Sequence, residues 1–278
     1  MSHPHPEFEP LSLTRDIADF PIGNLRLAEH HQLLIAGAGI TIAAHAWIDP
    51  AGYSAWLATA RSTLASDDGT PLAWRGEAPC GDVFTATSSF LIRHPWDLLR
   101  ANERFISSLT ENRLDGDVHP TTVVEGVLHL GKGTRILPGV CIEGNVVIGA
   151  GCKIGPNCYI RGNTSIGDGC HIGQSVEIKN CLILKNTNVG HLSYVGDSLL
   201  GEEVNFGAGT ITSNLRHDGA NHRSSVAGRL IDTGRRKLGA IVGDGVHTGI
   251  HTSIYPGRKL WPGTTTRPGE IVHKDLAP

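Results

Sequence analysis

From residue 124 onward, every sixth position carries a branched aliphatic side chain: Val124, Leu130, Ile136, Ile142, Ile148, Ile154, Ile160, Ile166, Ile172, Ile178 and Leu184. Neither the 3.6-residue period of a helix nor the two-residue period of an ordinary strand produces this spacing. A chain that turns a corner after each short flat strand does produce it. Three strands make a coil of 18 residues, and the aliphatic side chains stack inside a triangular prism. Gly follows the aliphatic at Gly131, Gly149, Gly155, Gly167 and Gly173, where a tight corner is needed. The position four residues after the aliphatic is small or medium: Val140, Val146, Cys152, Cys158, Thr164, Cys170, Val176 and Leu182. The expected fold is mainly β, a left-handed parallel β-helix with coils ~4.8 Å apart. The phase slips by one residue around Val189 and resumes at Val195, Leu200 and Phe206. After an interruption it returns at Val242, Thr248, Ile254 and Leu260, for close to six coils.

Composition divides the chain. Ten of the 15 aromatic residues lie before residue 110, whereas 28 of the 35 Gly lie from Gly116 onward. The boundary is placed at Asp115–Gly116, with a small α/β domain over 1–115 and the β-helix over 116–278. Leu98, Asn102, Phe105 and Leu109 predict a helix from Pro95 to Ile106, and Tyr53, Trp56, Leu57, Ala60 and Leu64 suggest another. Ala36–Gly37–Ala38–Gly39–Ile40 reads as a turn between strands rather than a phosphate loop. Cys152, Cys158 and Cys170 occupy small interior positions and read as fillers. Six Cys without a leader segment suggest free thiols and a cytoplasmic location. A net charge of −3 argues against nucleic acid or a membrane surface as partner. The longest apolar stretch, Leu33–Ala44, is too short to span a bilayer.

The interruption, 213–240, reads as a loop thrown out of the prism. It carries Arg216, Arg223, Arg229, Arg235, Arg236 and Lys237 against Asp218 and Asp232. Such a basic excursion suits a phosphorylated ligand, since guanidinium groups grip phosphate oxygens. A solvated loop is the bland alternative. On the prism itself Arg161 and Lys179 are one 18-residue coil apart, so they stack on one face, a costly arrangement unless an anion joins them. Glu177 lies in the coil below His191, which sits where the repeat slips, and imidazole beside carboxylate is suited to acid–base work. His217 and His222 lie on the excursion, and His247 and His251 occupy different phases of the repeat, so no metal-ligand set emerges.

Three segments, Val176–Lys179, Gly190–Asp197 and Val204–Asn214, together resemble one family. It is the acetyltransferase domain of the bifunctional sugar-1-phosphate nucleotidylyltransferase/amino-sugar-1-phosphate acetyltransferases. Asn214–Gly219, Thr233–Ala240 and Tyr255–Lys259 resemble its archaeal branch, and the resemblance covers about 118–273. It implies acetyl-CoA as cosubstrate, an amino-sugar 1-phosphate as acceptor, a homotrimer, and no metal for acetyl transfer. His191 matches the general base, Glu177 the carboxylate that orients it, and Arg161 and Lys179 the sugar-phosphate ligands. Tyr194 and Asn205 match substrate contacts, while Ala208 and Asn214 match positions beside the acetyl group and coenzyme arm. Arg258, Lys259 and Arg267 are candidates for its phosphates.

The excursion departs from the family pattern. His222 stands where the bacterial branch has Lys, and Ala220 and Arg223 stand where the archaeal branch has two Lys, so Arg223 replaces one cation and the other is lost. The N-terminal segment resembles the family's nucleotidylyltransferase domain only at its two ends, Leu11–Arg15 and His94–Leu98. Without the Gly-rich fingerprint, nucleotidyl transfer is not expected. The functional expectation is an amino-sugar-1-phosphate N-acetyltransferase acting on glucosamine-1-phosphate or galactosamine-1-phosphate in nucleotide-sugar synthesis. A non-catalytic sugar-phosphate-binding or regulatory subunit is the second reading.

Overall fold

A computed structural model describes residues 5–34 and 39–278. The C-terminal part is a left-handed parallel β-helix with three flat faces. The first face runs through Asp117–Val118, Arg135–Ile136, Lys153–Ile154, His171–Ile172, Asn188–Val189 and Asn205–Phe206. Isolated bridges carry it on to His247 and Thr265. The second face has eight strands, from Val123–Glu125 through Tyr159–Arg161, Glu177–Lys179 and Tyr194–Gly196 to Ile271–Val272. The third also has eight, from Arg113–Leu114 through Leu182–Ile183, Leu199–Leu200 and Ile241–Val242 to Lys259–Leu260. The prism is therefore taller than the six coils expected. At one end Leu114, paired with Leu130 sixteen residues on, falls outside the six-residue phase, and at the other Val272 extends that phase one coil beyond Ile254. The first prism strand, Arg113–Leu114, already pairs with Leu128–Leu130 and sets the junction with the N-terminal region.

Ile136, Ile142, Ile148, Ile154, Ile160, Ile166, Ile172 and Ile178 form one buried column, with Cys152, Cys158 and Cys170 filling the gaps. All six cysteines are free. The register shift lies earlier than the sequence pattern suggests. Arg161 aligns with Lys179, 18 residues on, but Ser165 aligns with Leu182, only 17 on. The corner at Asn180, in the left-handed region at φ 52°, is one residue short. Cys181 and Ile183 are therefore the interior residues there, and Leu182 and Leu184 point outward.

Those outward leucines have a partner. Leu182, Leu184, Leu199 and Ile241 on the third face are buried in one cluster with Phe8, Phe20, Trp96 and Leu99 of the N-terminal region. Helix α3 (Pro95–Ser107) provides much of that cover. Pro95 opens it, and the Asp97 carboxylate accepts from the backbone N–H groups of Arg93 and His94 at 3.0 and 2.9 Å. From its buried side Asn102 reaches the prism, its carbonyl oxygen accepting from Ser165 Oγ at 2.9 Å. Arg15 adds ion pairs to Glu202 and Asp244 at the prism corners.

The rest of the N-terminal region is mixed α/β. Helices α1 (Leu27–Leu34) and α2 (Pro50–Leu57) accompany a four-stranded sheet ordered Ile40–Ile42, Pro71–Arg75, Thr63–Ala65, Val83–Thr85. Helix α2 stops before Leu64, which lies in a strand, because Thr59 bonds back to the Trp56 carbonyl at 2.8 Å and turns the chain. Of the glycine-rich segment 36–40, expected as a turn, only Gly39 and Ile40 lie within the described residues. Among these residues no helix is long and apolar enough to cross a membrane.

The excursion is not a loose loop but a β-hairpin, Arg223–Val226 against Arg229–Asp232. Val226 joins the N-terminal cluster, so the hairpin folds back over the chain's own domain. Because the interior column carries the ladder, Ile178→Ala should cost about 2–5 kcal/mol. Urea unfolding of the purified variant measures this, with the slope of the transition unchanged.

Candidate functional site

The register of the second face decides which side chains meet. Outward positions form two columns along it. One runs Cys141, Tyr159, Glu177, Tyr194, Ile211, and the other Glu143, Arg161, Lys179, Gly196. Arg161 and Lys179 are therefore stacked, as their spacing predicts. The chain itself supplies carboxylates beside them. Arg161 donates from Nε (2.9 Å) and one terminal nitrogen (2.7 Å) to Glu177. Lys179 Nζ donates to Asp197 at 2.9 Å.

Asp197 is the centre of the group, and the sequence reading missed it. It follows Gly196 at a corner with φ 49°, a conformation that Asp tolerates better than most residues, and is only 3% exposed. Its carboxylate also accepts from Asn214 at 2.6 Å and Asn180 at 3.0 Å. A buried carboxylate requires such donors to offset the loss of water. The second Asn180 contact, to Glu103 of helix α3 at 2.6 Å, extends the network. Glu103 in turn takes both ends of the Arg235 guanidinium, at 2.5 and 3.1 Å. Polar contacts thus run unbroken from the N-terminal helix to Lys179.

Tyr194 lies over Gly196. A Cβ at that glycine would come within 2.4 Å of the Tyr194 hydroxyl and 2.7 Å of Asn214 Nδ2, so the missing side chain makes room for both. Asn214 donates to the phenol oxygen at 3.0 Å. Burial, reinforced by Asp197 and Glu177, raises the Tyr194 pKa, so the hydroxyl stays protonated and able to donate at neutral pH.

His191 stands at the corner between the first and second faces, exposed, with Leu192 beside it at φ 62°. Its backbone carbonyl accepts from Gly209 in the next coil at 2.9 Å, which places Ala208 directly above it. Glu177 does lie in the coil below, but it aligns with Tyr194, three residues further on. Its carboxylate is committed to Arg161. Among the described residues no hydrogen bond joins Glu177 to His191. Asn205 lies on the first face, half-buried, aligned with Asn188 and bridging to His247.

The cationic candidates divide. Arg223 is exposed at the start of the hairpin. Arg267 is exposed on the corner that carries His191, three coils further along. Arg258 is half-buried beside Asp275 at 3.7 Å. Lys259 does not suit a phosphate ligand. It is 1% exposed, and its ammonium donates to the Ser225 carbonyl at 2.8 Å, tying the hairpin to the prism. Arg235 and Arg216 are likewise occupied, by Glu103 and Asp218. His222, where the resemblance implies a cation, is a buried prop. Its ring bonds the Asn214 carbonyl at 3.1 Å, and burial lowers its pKa.

A family model described as the GMPPB C-terminal domain matches residues 142–256. The bifunctional sugar-1-phosphate nucleotidylyltransferase/acetyltransferase of Sulfurisphaera tokodaii is 40% identical over 185 residues, 66% of this chain and 46% of that protein. The bifunctional protein GlmU of Methanococcus maripaludis is 49% identical over 185 residues, 66% of this chain and 44% of that protein. The C-terminal part of the chain is homologous to these bifunctional proteins. The chain spans less than half the length of these curated relatives. Among solved structures, UDP-N-acetylglucosamine acyltransferase matches 59% of this chain and 66% of its own at 12% identity, with a TM-score of 0.24.

Removing the Asp197 charge while keeping its shape should be costly. Asp197→Asn leaves the Lys179 ammonium half-enclosed without its counter-ion, and a loss of about 3 kcal/mol is expected. Chemical denaturation checks the value. Loss of stability in Asn214→Ala should be smaller, since that change removes a neutral donor.

Proposed function

We propose that this chain is an acetyl-CoA-dependent N-acetyltransferase whose acceptor is an amino-sugar 1-phosphate, glucosamine-1-phosphate or galactosamine-1-phosphate. One observation carries the reading. An exposed imidazole beneath Ala208 stands at the corner next to a face where Arg161, Lys179, Tyr194 and Asn214 converge, in a prism homologous to proteins named as acetyltransferases. In this reading the amine nitrogen attacks the thioester carbonyl carbon and the C–S bond breaks. His191 takes the proton released by the amine and passes it to the departing sulfur, so the coenzyme leaves as its thiol. Imidazole is the side chain suited to that exchange near neutrality.

The sugar phosphate is assigned to Arg161 and Lys179. Arg161 uses Nε and one terminal nitrogen on Glu177, and no hydrogen bond engages Nη1 among the described residues. Tyr194 and Asn205 are assigned to the sugar. Ala208, Asn214 and Arg267 are assigned to the coenzyme, whose arm would follow the corner upward from His191. Arg223 remains the hairpin's candidate cation. No metal takes part in the proposed transfer, and a nucleotidyl-transfer step is not assigned to the N-terminal region. Pyrophosphate release from UTP and N-acetylglucosamine-1-phosphate would overturn that last assignment.

The second reading, a non-catalytic sugar-phosphate-binding or regulatory subunit, draws on one observation: Glu177 is spent on Arg161 rather than on His191. Incubation with acetyl-CoA and each amino-sugar phosphate, followed by free-thiol release, separates the two. Turnover is expected with at least one acceptor, and His191→Ala should reduce it roughly 10²–10⁴-fold without changing the circular dichroism spectrum. Binding without turnover would favour the second reading.

The assembly proposed is a homotrimer. Val123, Ile211 and Ile271 are exposed along the second face, and Leu192 (63% exposed) and Ile250 (51%) on the adjoining corner. Apolar side chains repeated along one side of a prism are suited to burial against copies of it. Light scattering coupled to size-exclusion chromatography should give three chain masses, and Leu192→Glu should shift the chain toward monomer.

A further inference from the structure

Away from the prism, three stretches of the N-terminal region bring together a different set of groups. His5 opens the turn Pro6–Phe8, Asp16 caps the turn Ile17–Asp19, and His45 precedes the strand Ala46–Trp47. The His5 Nε2 atom lies 3.9 Å from one Asp16 oxygen, and His45 Nε2 lies 3.4 Å from the other. One ligand-type atom from each of the three residues can be chosen so that all lie within 4.8 Å of one another. The two rings meet edge to face with centroids 4.8 Å apart.

These separations are informative. A distance of 3.9 Å is too long for a hydrogen bond, and 3.4 Å is at its limit. Donors held ~2.0–2.2 Å from one tetrahedral ion would stand on the order of 3.3 Å from each other. Small side-chain rotations close the remaining gap. Each residue is half-buried, so an ion can enter without unfolding the chain. The backbone on all three sides is already fixed. Ser12 Oγ donates to the His5 carbonyl at 2.8 Å, Asp16 accepts from the Ala18 N–H at 2.9 Å, and the His45 carbonyl accepts from Ile92 N–H at 2.8 Å.

We propose that His5, Asp16 and His45 form a binding site for one first-row divalent transition-metal ion. Two imidazole nitrogens and one carboxylate oxygen suit Zn²⁺ or Fe²⁺, whereas Mg²⁺ and Ca²⁺ demand oxygen-rich sets. Three protein ligands leave further coordination positions open. His5 and His45 also line a cavity of about 350 Å³ together with Glu7, Ile17, Leu91 and Arg93. The ion would fasten the chain's first described residues to the turn at His45. Asp16 adjoins Arg15, whose ion pairs hold this region to the prism, so the ion would sit beside that clamp. The proposal uses none of the residues assigned to acetyl transfer and stands independently of it.

The test uses the full chain without an affinity tag, stripped with a chelator and dialysed against Zn²⁺. One equivalent per chain is expected, and Co²⁺ in its place should give visible d–d absorption. Asp16→Asn retains an oxygen that can cap the Ile17–Asp19 turn but lacks the full carboxylate charge. It should weaken binding more than about a hundredfold, beyond the 10–100-fold typical of losing a supporting contact. His5→Ala, at the edge of the fold, should do the same while leaving the unfolding transition of the metal-free protein in place. His191→Ala should bind as the parent does. The proposal is overturned if the stripped parent takes up no stoichiometric ion, or if Asp16→Asn and His5→Ala both retain it with parental affinity.

Discussion

Each coil of the prism is held by parallel backbone hydrogen bonds to the coil beneath, so the position of every outward side chain follows from where its strand began. That ladder is the constraint on which the rest depends. A one-residue change at a corner moves everything after it. The short corner at Asn180 leaves Arg161 over Lys179 but brings Tyr194, rather than Val195, over Glu177, with His191 three residues earlier at the corner. The same shift turns Leu182 and Leu184 outward. One missing residue thus shapes both the candidate site and the docking of the N-terminal region.

The charges on the second face are not simply arranged to await an anion. Lys179 is held by Asp197, Asp197 by Asn180 and Asn214, and Asn180 by a glutamate on the N-terminal helix that also grips Arg235. Such a network is stable only when each member is satisfied. It fixes the geometry of the site before any ligand arrives, and it makes helix α3 and the excursion at Arg235 part of that geometry. The N-terminal region therefore bears structurally on the candidate site even though no reaction is assigned to it.

The six-residue recurrence of aliphatic side chains was enough to read the prism, its interior cysteines and the stacking of Arg161 on Lys179, because these depend on spacing alone. The exact corner of the slip was not legible. Val189 and Ile183 both fit an aliphatic pattern, and only backbone register distinguishes them. Asp197 was overlooked because a carboxylate at a left-handed corner has no pattern of its own, although Gly196 before it was a usable signal. Lys259 looked free because burial under a hairpin from residue 225 is a long-range event. His5, Asp16 and His45 are scattered through a segment without repeats, and no motif spacing unites them. The apolar pairs Leu182–Ile183, Leu199–Leu200 and Ile241–Val242 could have been noticed, since a strand with both sides apolar must be covered on both.

That double-sided character has a consequence for how such a protein can be inherited. Many prisms of this kind face water on the outside and could serve as interchangeable cassettes. Here a transplanted fragment starting at Arg113 would carry a greasy seam of Leu182, Leu184, Leu199 and Ile241 into any new host. A recombination breakpoint between the two parts would expose that seam to water, a cost in solubility that comes before any question of catalysis.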